Sequence, residues 1–236
     1  PQVTASTGAA PDIPLVVPSG FSIGTFATQI PGARDLEFSP QATLLVSQTS
    51  QGAVVALPDK NRDGATDEVI TVLTNLQKPH GLAFFKDKLF VAEETKVVRY
   101  FWNEQDLSAK FDRILFELPK GGNHFTRSLV VRHDGTLYVS LGSTCNVCYE
   151  KHDWLASVIV SDIEGTTPRA FAKGLRNAVF LQIHPRTQQL WVTEMGRDFL
   201  GDNLPPDEIN ILQEGKNYGW PVCYGNRVHD SNFDKN

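Results

Sequence analysis

The feature that most constrains this chain is an internal repeat with a step of about 50 residues. Leu36-Glu37-Phe38, Leu82-Ala83-Phe84, Leu129-Val130-Val131 and Leu181-Gln182-Ile183 each read as a short apolar strand. Each is followed, after a turn carrying Pro, Asp or Gly, by a second strand: Leu44 to Ser47, Leu89 to Ala92, Leu137 to Ser140 and Leu190 to Thr193. The leading leucines of the first strands lie 46, 47 and 52 residues apart, and those of the second strands 45, 48 and 53. Two rows of leucines keeping the same step is the pattern of β-propeller blades, where each sheet buries its faces only against the next. An irregular β-sandwich would also alternate apolar and polar residues, but nothing would hold two rows in step. Ala53 to Leu57, Lys96 to Phe101, Ser157 to Ser161 and Glu208 to Leu212 supply further strands of the blades. The expectation is an all-β chain, with residues 1–20 an extended N-terminal segment and residues 21–236 a propeller domain.

Composition agrees: 18 Gly, 14 Pro and 14 Phe against a single Met favour many short strands over long helices. A formal charge of −5 leaves no cationic excess to neutralise phosphates, so a small molecule is the expected partner and nucleic acid is not. No run approaches the roughly 18 apolar residues of a membrane span. Pro1 to Pro18, rich in Ala, Ser, Thr and Pro, reads as the beginning of a mature exported chain. Cys145 and Cys148 form a C-x-x-C followed by Tyr149, which excludes c-type haem attachment, while Cys223 stands far away. A zinc site would need histidine ligands as well. A local disulfide in an oxidising compartment is the simpler reading.

In a propeller the first strand of each blade lines the central channel and the second returns to the face where the first began. Residues just before strand one and just after strand two therefore meet on one rim. Those positions hold Arg34 and Asp35 with Gln48; His80 with Glu93 and Glu94; His124 and Arg127 with Ser143; and Arg176 and Asn177 with Glu194, Gly196, Arg197 and Asp198. Such a polar set at the ends of apolar strands suits an anionic ligand and a proton transfer.

Gly174-Leu175-Arg176-Asn177, Leu190-Trp191-Val192-Thr193-Glu194-Met195-Gly196-Arg197-Asp198, Pro205-Pro206-Asp207-Glu208-Ile209-Asn210 and Asn217-Tyr218-Gly219-Trp220-Pro221 occur in that order. With Asn123-His124 and the Asp134 to Gly142 stretch, they resemble the soluble pyrroloquinoline-quinone (PQQ)-dependent sugar dehydrogenases, most closely the sorbosone and aldose sugar dehydrogenase branch. The resemblance runs from about Phe21 to Gly225. It implies a six-bladed propeller that oxidises the C1 hydroxyl of a sugar, with His124 as the base and hydride passing to the quinone. By the same resemblance Arg176 and Asn177 contact PQQ, and His80 falls near the cofactor and substrate pocket. The carbonyls of Gly196 and Arg197 would hold an activating Ca2+, and Glu208 and Tyr218 match a second, structural Ca2+ site. The implied electron acceptor is a cytochrome or quinone, and the implied location periplasmic or secreted.

The sequence departs from the family where Ser143 stands in place of an acid that orients the base. The family's further cofactor contacts lie in later blades, so 236 residues are expected to supply four blades and part of a fifth, with the missing C-terminal part as a partner for the open edge after Trp220. Independently of the family, Asp59, Asn61, Asp63 and Asp67 surround Gly64 with the spacing of a calcium loop, although Ile70 replaces its closing Glu. An acidic turn between two strands would look the same. Two alternatives keep the architecture: a calcium-dependent sugar lactonase using Glu93 and Glu194, and a non-catalytic propeller that binds a partner on its rim.

Overall fold

The repeated apolar runs form the strands of consecutive antiparallel sheets in a computed structural model, which describes residues 15–235. Most of the expected N-terminal segment, residues 1–14, lies outside the described residues. The first sheet holds β1 (Ala33–Phe38), β2 (Leu44–Gln48), β3 (Ala53–Leu57) and β4 (Ile70–Leu73) in that spatial order. The second holds β5 (Leu82–Phe85), β6 (Lys88–Ala92), β7 (Lys96–Asn103) and β8 (Ser108–Glu117). The third holds β9 (Leu129–Val131), β10 (Thr136–Leu141), β11 (Ser157–Asp162) and β12 (Arg169–Lys173). A three-stranded sheet follows, β13 (Ala178–Ile183), β14 (Leu190–Glu194) and β15 (Glu208–Leu212). This is a four-blade β-propeller arrangement, all-β as the repeat requires. The residues beyond Trp220 pair with one another as a small hairpin, β16 (Cys223–Tyr224) with β17 (Val228–His229), instead of presenting a blade edge.

The middle strands are continuous apolar runs because both of their faces are covered. All five residues of β2 and all five of β3 are buried. Successive side chains of a strand point to opposite faces, so Leu89 and Phe90 on β6, both 0% exposed, enter different clusters. Leu89 packs with Leu45, Val54 and Leu82 between the first and second blades. Phe90 packs with Leu129, Val139 and Ile159 between the second and third. A further cluster around Tyr138, Val158, Leu181 and Val192 joins the third blade to the fourth. Each such side chain contributes on the order of 1.5–3 kcal/mol by burial, so every blade is held by its neighbours rather than by itself. Phe26, Ala27 and Ile30 pack on Leu44, Val46, Val55 and Leu57, which makes this stretch part of the domain.

The inner strands β1, β5, β9 and β13 surround a channel cavity of about 280 Å³. Across it the Phe180 ring meets the His80 ring at 5.5 Å and lies 5.9 Å from the Arg34 guanidinium carbon. Arg34 and Asp35, expected just before the first strand, are within β1, because its pairing with β2 extends to Ala33 opposite Gln48.

Candidate active site

The rim is held together by main-chain bonds between blades. Gly81 N–H donates to Arg127 O at 2.8 Å, tying the second blade's entry to the third's, and Ser143 N–H donates to Arg176 O at 2.7 Å, tying the third to the fourth. His124 and Asn177 thereby come together across Gly142, where a Cβ would meet both His124 Cβ and Asn177 Oδ1. Arg127, 0% exposed, supports this corner from beneath by donating to the carbonyls of Glu94, Pro119, His124 and Thr126.

His124 is half-buried, and its Nδ1 lies 3.1 Å from Ser143 O and 2.9 Å from Ser143 Oγ. A carbonyl can only accept, so Nδ1 carries the proton. The Ser143 hydroxyl hydrogen is committed to Cys145 O at 2.6 Å, which leaves its oxygen to accept from the ring as well. Nε2 is therefore the unprotonated nitrogen, the form a general base needs. Burial, followed by the positive charge of Arg176, lowers the ring's pKa below its usual value, while Asp198 and the Ser143 backbone oppose this. The neutral ring is favoured near pH 7.

Arg176 is 2% exposed and uses all five of its N–H donors. Nε donates to Asn146 O (2.9 Å); Nη1 to Gly196 O (2.7 Å) and Met195 O (3.3 Å); Nη2 to Asn146 Oδ1 (2.9 Å) and Asp198 Oδ2 (2.7 Å). The result is a fixed cation beside the base. Gly196 O keeps a second lone pair for another ligand. Arg197, its neighbour, is ion-paired through Nη1 to the buried Asp230.

Glu208 and Tyr218 share a cavity of about 30 Å³, roughly one small ion or water, with Glu194 and Asp230. Glu208 accepts from Gly225 N–H and Asn210 Nδ2, both at 2.9 Å. The Tyr218 hydroxyl is held between Gln213 N–H and Ile211 O. Glu194 Oε1 accepts from Asn177 N–H at 3.1 Å, whereas its buried Oε2 has no partner. Burial pushes this carboxyl up to about 8, and Glu208 adds to the shift. An orphaned buried carboxyl oxygen is the kind of ligand a hard cation takes, here in a cavity that Arg176 and Arg197 also line.

His80, the Asp59 loop and Glu93 have surroundings of their own. His80 is 0% exposed, with neither ring nitrogen hydrogen-bonded, and burial pulls it down to about 4 despite the opposing Arg127 backbone. The Asp59 loop uses its side-chain oxygens on its own amides: Asp59 on Asp63 and Gly64, Asn61 on Asp63, Asp63 on Ala65, and Asp67 on Lys60. An acidic turn and a calcium loop share such amide bonds. Glu93 accepts from Gln77 N–H at 2.5 Å and faces Lys96 Nζ at 3.4 Å. Cys145 and Cys148 are joined by a disulfide, which removes them as zinc thiolates. Asn146 between them is a site residue that nothing in the sequence marks except its place inside that loop.

The sequence matches the TrAA12-like family model over residues 15–236. The chain belongs to the TrAA12-like family. Among relatives, a Borreliella burgdorferi protein is 28% identical over 234 residues, covering 93% of this chain and 59% of its own length. A pyrroloquinoline quinone-dependent sugar dehydrogenase of Hypocrea jecorina is 25% identical over 246 residues, covering 89% of this chain and 57% of its own length. The PQQ domain of pyranose dehydrogenase from Coprinopsis cinerea, solved in its holo form, superposes with a TM-score of 0.82 at 18% identity, covering 98% of this chain and 64% of that one. The chain thus spans less than two thirds of the length of each. In this TrAA12-like chain no helix among the described residues is long and apolar enough to cross a membrane.

Proposed function

We propose that this chain carries the base and cofactor-facing half of a PQQ- and Ca2+-dependent sugar dehydrogenase acting on the C1 hydroxyl of an aldose or a sorbosone-like sugar. The observation that carries the reading is His124, held as its Nδ1–H tautomer with Nε2 bare, beside the fixed Arg176 cation in a chain of this family.

When bound, the quinone supplies the hydride acceptor and Ca2+ its polarisation. His124 Nε2 takes the proton of the sugar hydroxyl, and the ring's lowered pKa keeps it ready to do so near neutral pH. Arg176, immobilised by five acceptors, places positive charge where negative charge would grow, with no reorganisation at the moment of reaction. Asn177 offers its amide next to the base. The carbonyls of Gly196 and Arg197 would hold the activating metal, with Asp198 adding negative charge nearby. Glu194, Glu208 and Tyr218, which line one cavity, would hold a structural Ca2+ there. His80 faces the channel side of the site through Phe180. The disulfide supports an oxidising, periplasmic or secreted location, where a cytochrome or quinone would take the electrons.

The test is dye reduction by the purified protein supplied with PQQ and Ca2+, across several aldoses and sorbosone. Sugar-dependent reduction that needs both additions supports the reading. No turnover and no quinone absorbance retained by the full-length protein would defeat it.

A further inference from the structure

We infer that the short disulfide loop Cys145 to Cys148 is a clamp that positions the base and the cation together, with Asn146 as its working residue. The loop sits on the third blade yet reaches both partners. Its Cys145 carbonyl takes the Ser143 hydroxyl hydrogen, and so turns that oxygen into an acceptor for His124 Nδ1. Its Asn146 carbonyl accepts from Arg176 Nε at 2.9 Å and from Trp220 Nε1 at 3.3 Å. The Asn146 side-chain oxygen accepts from Arg176 Nη2 at 2.9 Å and from Asp198 N–H at 2.8 Å, while its Nδ2 donates to Asp198 O at 3.2 Å. Two of Arg176's five bonds therefore end on Asn146, and a third ends on Asp198, whose backbone Asn146 also holds.

The amide supplies the acceptor and the donor used here from separate atoms of one side chain, Oδ1 taking two hydrogen bonds while Nδ2 gives one. The cross-link explains how one residue on a short surface loop can do this. Closing the loop covalently removes the freedom that Asn146 would otherwise lose on meeting three partners. Glu150 secures the loop's approach by accepting from Thr144 N–H at 2.6 Å and from the Thr144 hydroxyl. Asn146 touches neither base nor substrate, so it is a positioning residue. Its purpose in catalysis rests on the dehydrogenase reading above; the clamp geometry does not.

The experiment compares the unmutated protein with Asn146→Ala and with the double variant Cys145→Ser/Cys148→Ser, each checked for native far-UV circular dichroism. The first readout needs no cofactor: the tautomer and titration of His124 followed by nitrogen and carbon NMR of labelled histidine. The charged groups facing the ring are Arg176, which lowers its pKa, and Asp198, which raises it. In the unmutated protein the Nδ1–H form is expected, titrating below the usual histidine range. In both variants the titration moves up toward the ordinary histidine range as the loop opens and Arg176 loosens, while the Ser143 carbonyl keeps the Nδ1–H tautomer. In the loaded enzyme the acid limb of kcat/KM moves with it, and kcat falls roughly tenfold or more while KM changes less. Dithiothreitol on the unmutated chain, which becomes its cyclic disulfide and leaves two protein thiols, gives the same shift without any question of folding yield. An unchanged His124 titration in the folded variants and after reduction would overturn the clamp. A shifted titration in a protein that binds no quinone would keep the clamp and remove the dehydrogenase reading; an unshifted one in an active enzyme would do the reverse.

Discussion

Replacing Ser143 with Ala is the most informative single change, because the structure gives that hydroxyl two tasks of different weight. Ser143 is 0% exposed, its hydroxyl donates to Cys145 O, and its oxygen accepts from His124 Nδ1. The substitution removes two hydrogen bonds, each worth about 0.5–1.5 kcal/mol net, for a loss of roughly 1–3 kcal/mol in stability. In a chain of this size that corresponds to a fall in Tm of roughly 2–12 °C. The catalytic effect should be smaller than the loss of an orienting acid, because Nδ1–H keeps its bond to the Ser143 carbonyl. One bond lost from two corresponds to a drop of roughly two- to tenfold in kcat. The assay is thermal unfolding by circular dichroism beside dye-coupled sugar oxidation across pH. A loss of activity beyond a hundredfold in a folded protein would refute the reasoning, since it would mean that the main-chain carbonyl does not hold the tautomer.

Further perturbations test other parts of the account. Gly142→Ala puts a methyl group against His124 Cβ and Asn177 Oδ1, and should lower kcat on the order of a hundredfold by displacing the base, as read in steady-state kinetics. Glu37, pushed up to about 7 by burial and by Asp35, holds its proton in the folded chain while the unfolded chain releases it near 4.5. Its contribution to stability is therefore full below about 4.5 and is lost as pH rises through 7. Glu37→Gln should leave Tm unchanged at pH 4.5 and raise it at pH 8; a larger gain at the lower pH would contradict this sign. Ca2+ at about a hundred times its Kd should stabilise the protein by about 2.7 kcal/mol. The resulting rise of roughly 5–10 °C in Tm should be reversed by EDTA and absent in Glu208→Gln.

Much of this architecture is legible in the sequence because propeller strands bury both faces. Leu44, Leu89, Leu137 and Leu190 are all buried, which is why their spacing survives as a pattern. The fourth strands β4, β8 and β12 escaped because they lie at the outer edge. In β8, Lys110, Asp112 and Arg113 break up the apolar signal, and few of its residues are covered. At the site, the rim positions of His124, Arg176, Asn177 and Glu194 follow from the repeat register alone. What they touch does not. The Cys145 carbonyl acts through backbone geometry and the Asn146 amide is carried to its partners by a covalent loop, so neither contact can be read from spacing. The Asp59 loop shows another limit: its spacing fits a metal ligand set, short acidic side chains in a tight turn also accept from their own backbone amides, and both readings call for the same residues.

The most direct test of the central claim is to mix the PQQ-loaded protein with an aldose and follow the absorbance of the bound quinone. The account predicts sugar-dependent reduction of that quinone in the unmutated protein, and none in His124→Ala although the variant still binds PQQ. A loaded protein whose quinone ignores every sugar, or a His124→Ala variant that reduces it as fast as the original, would contradict the assignment of His124 as the base of a sugar dehydrogenase.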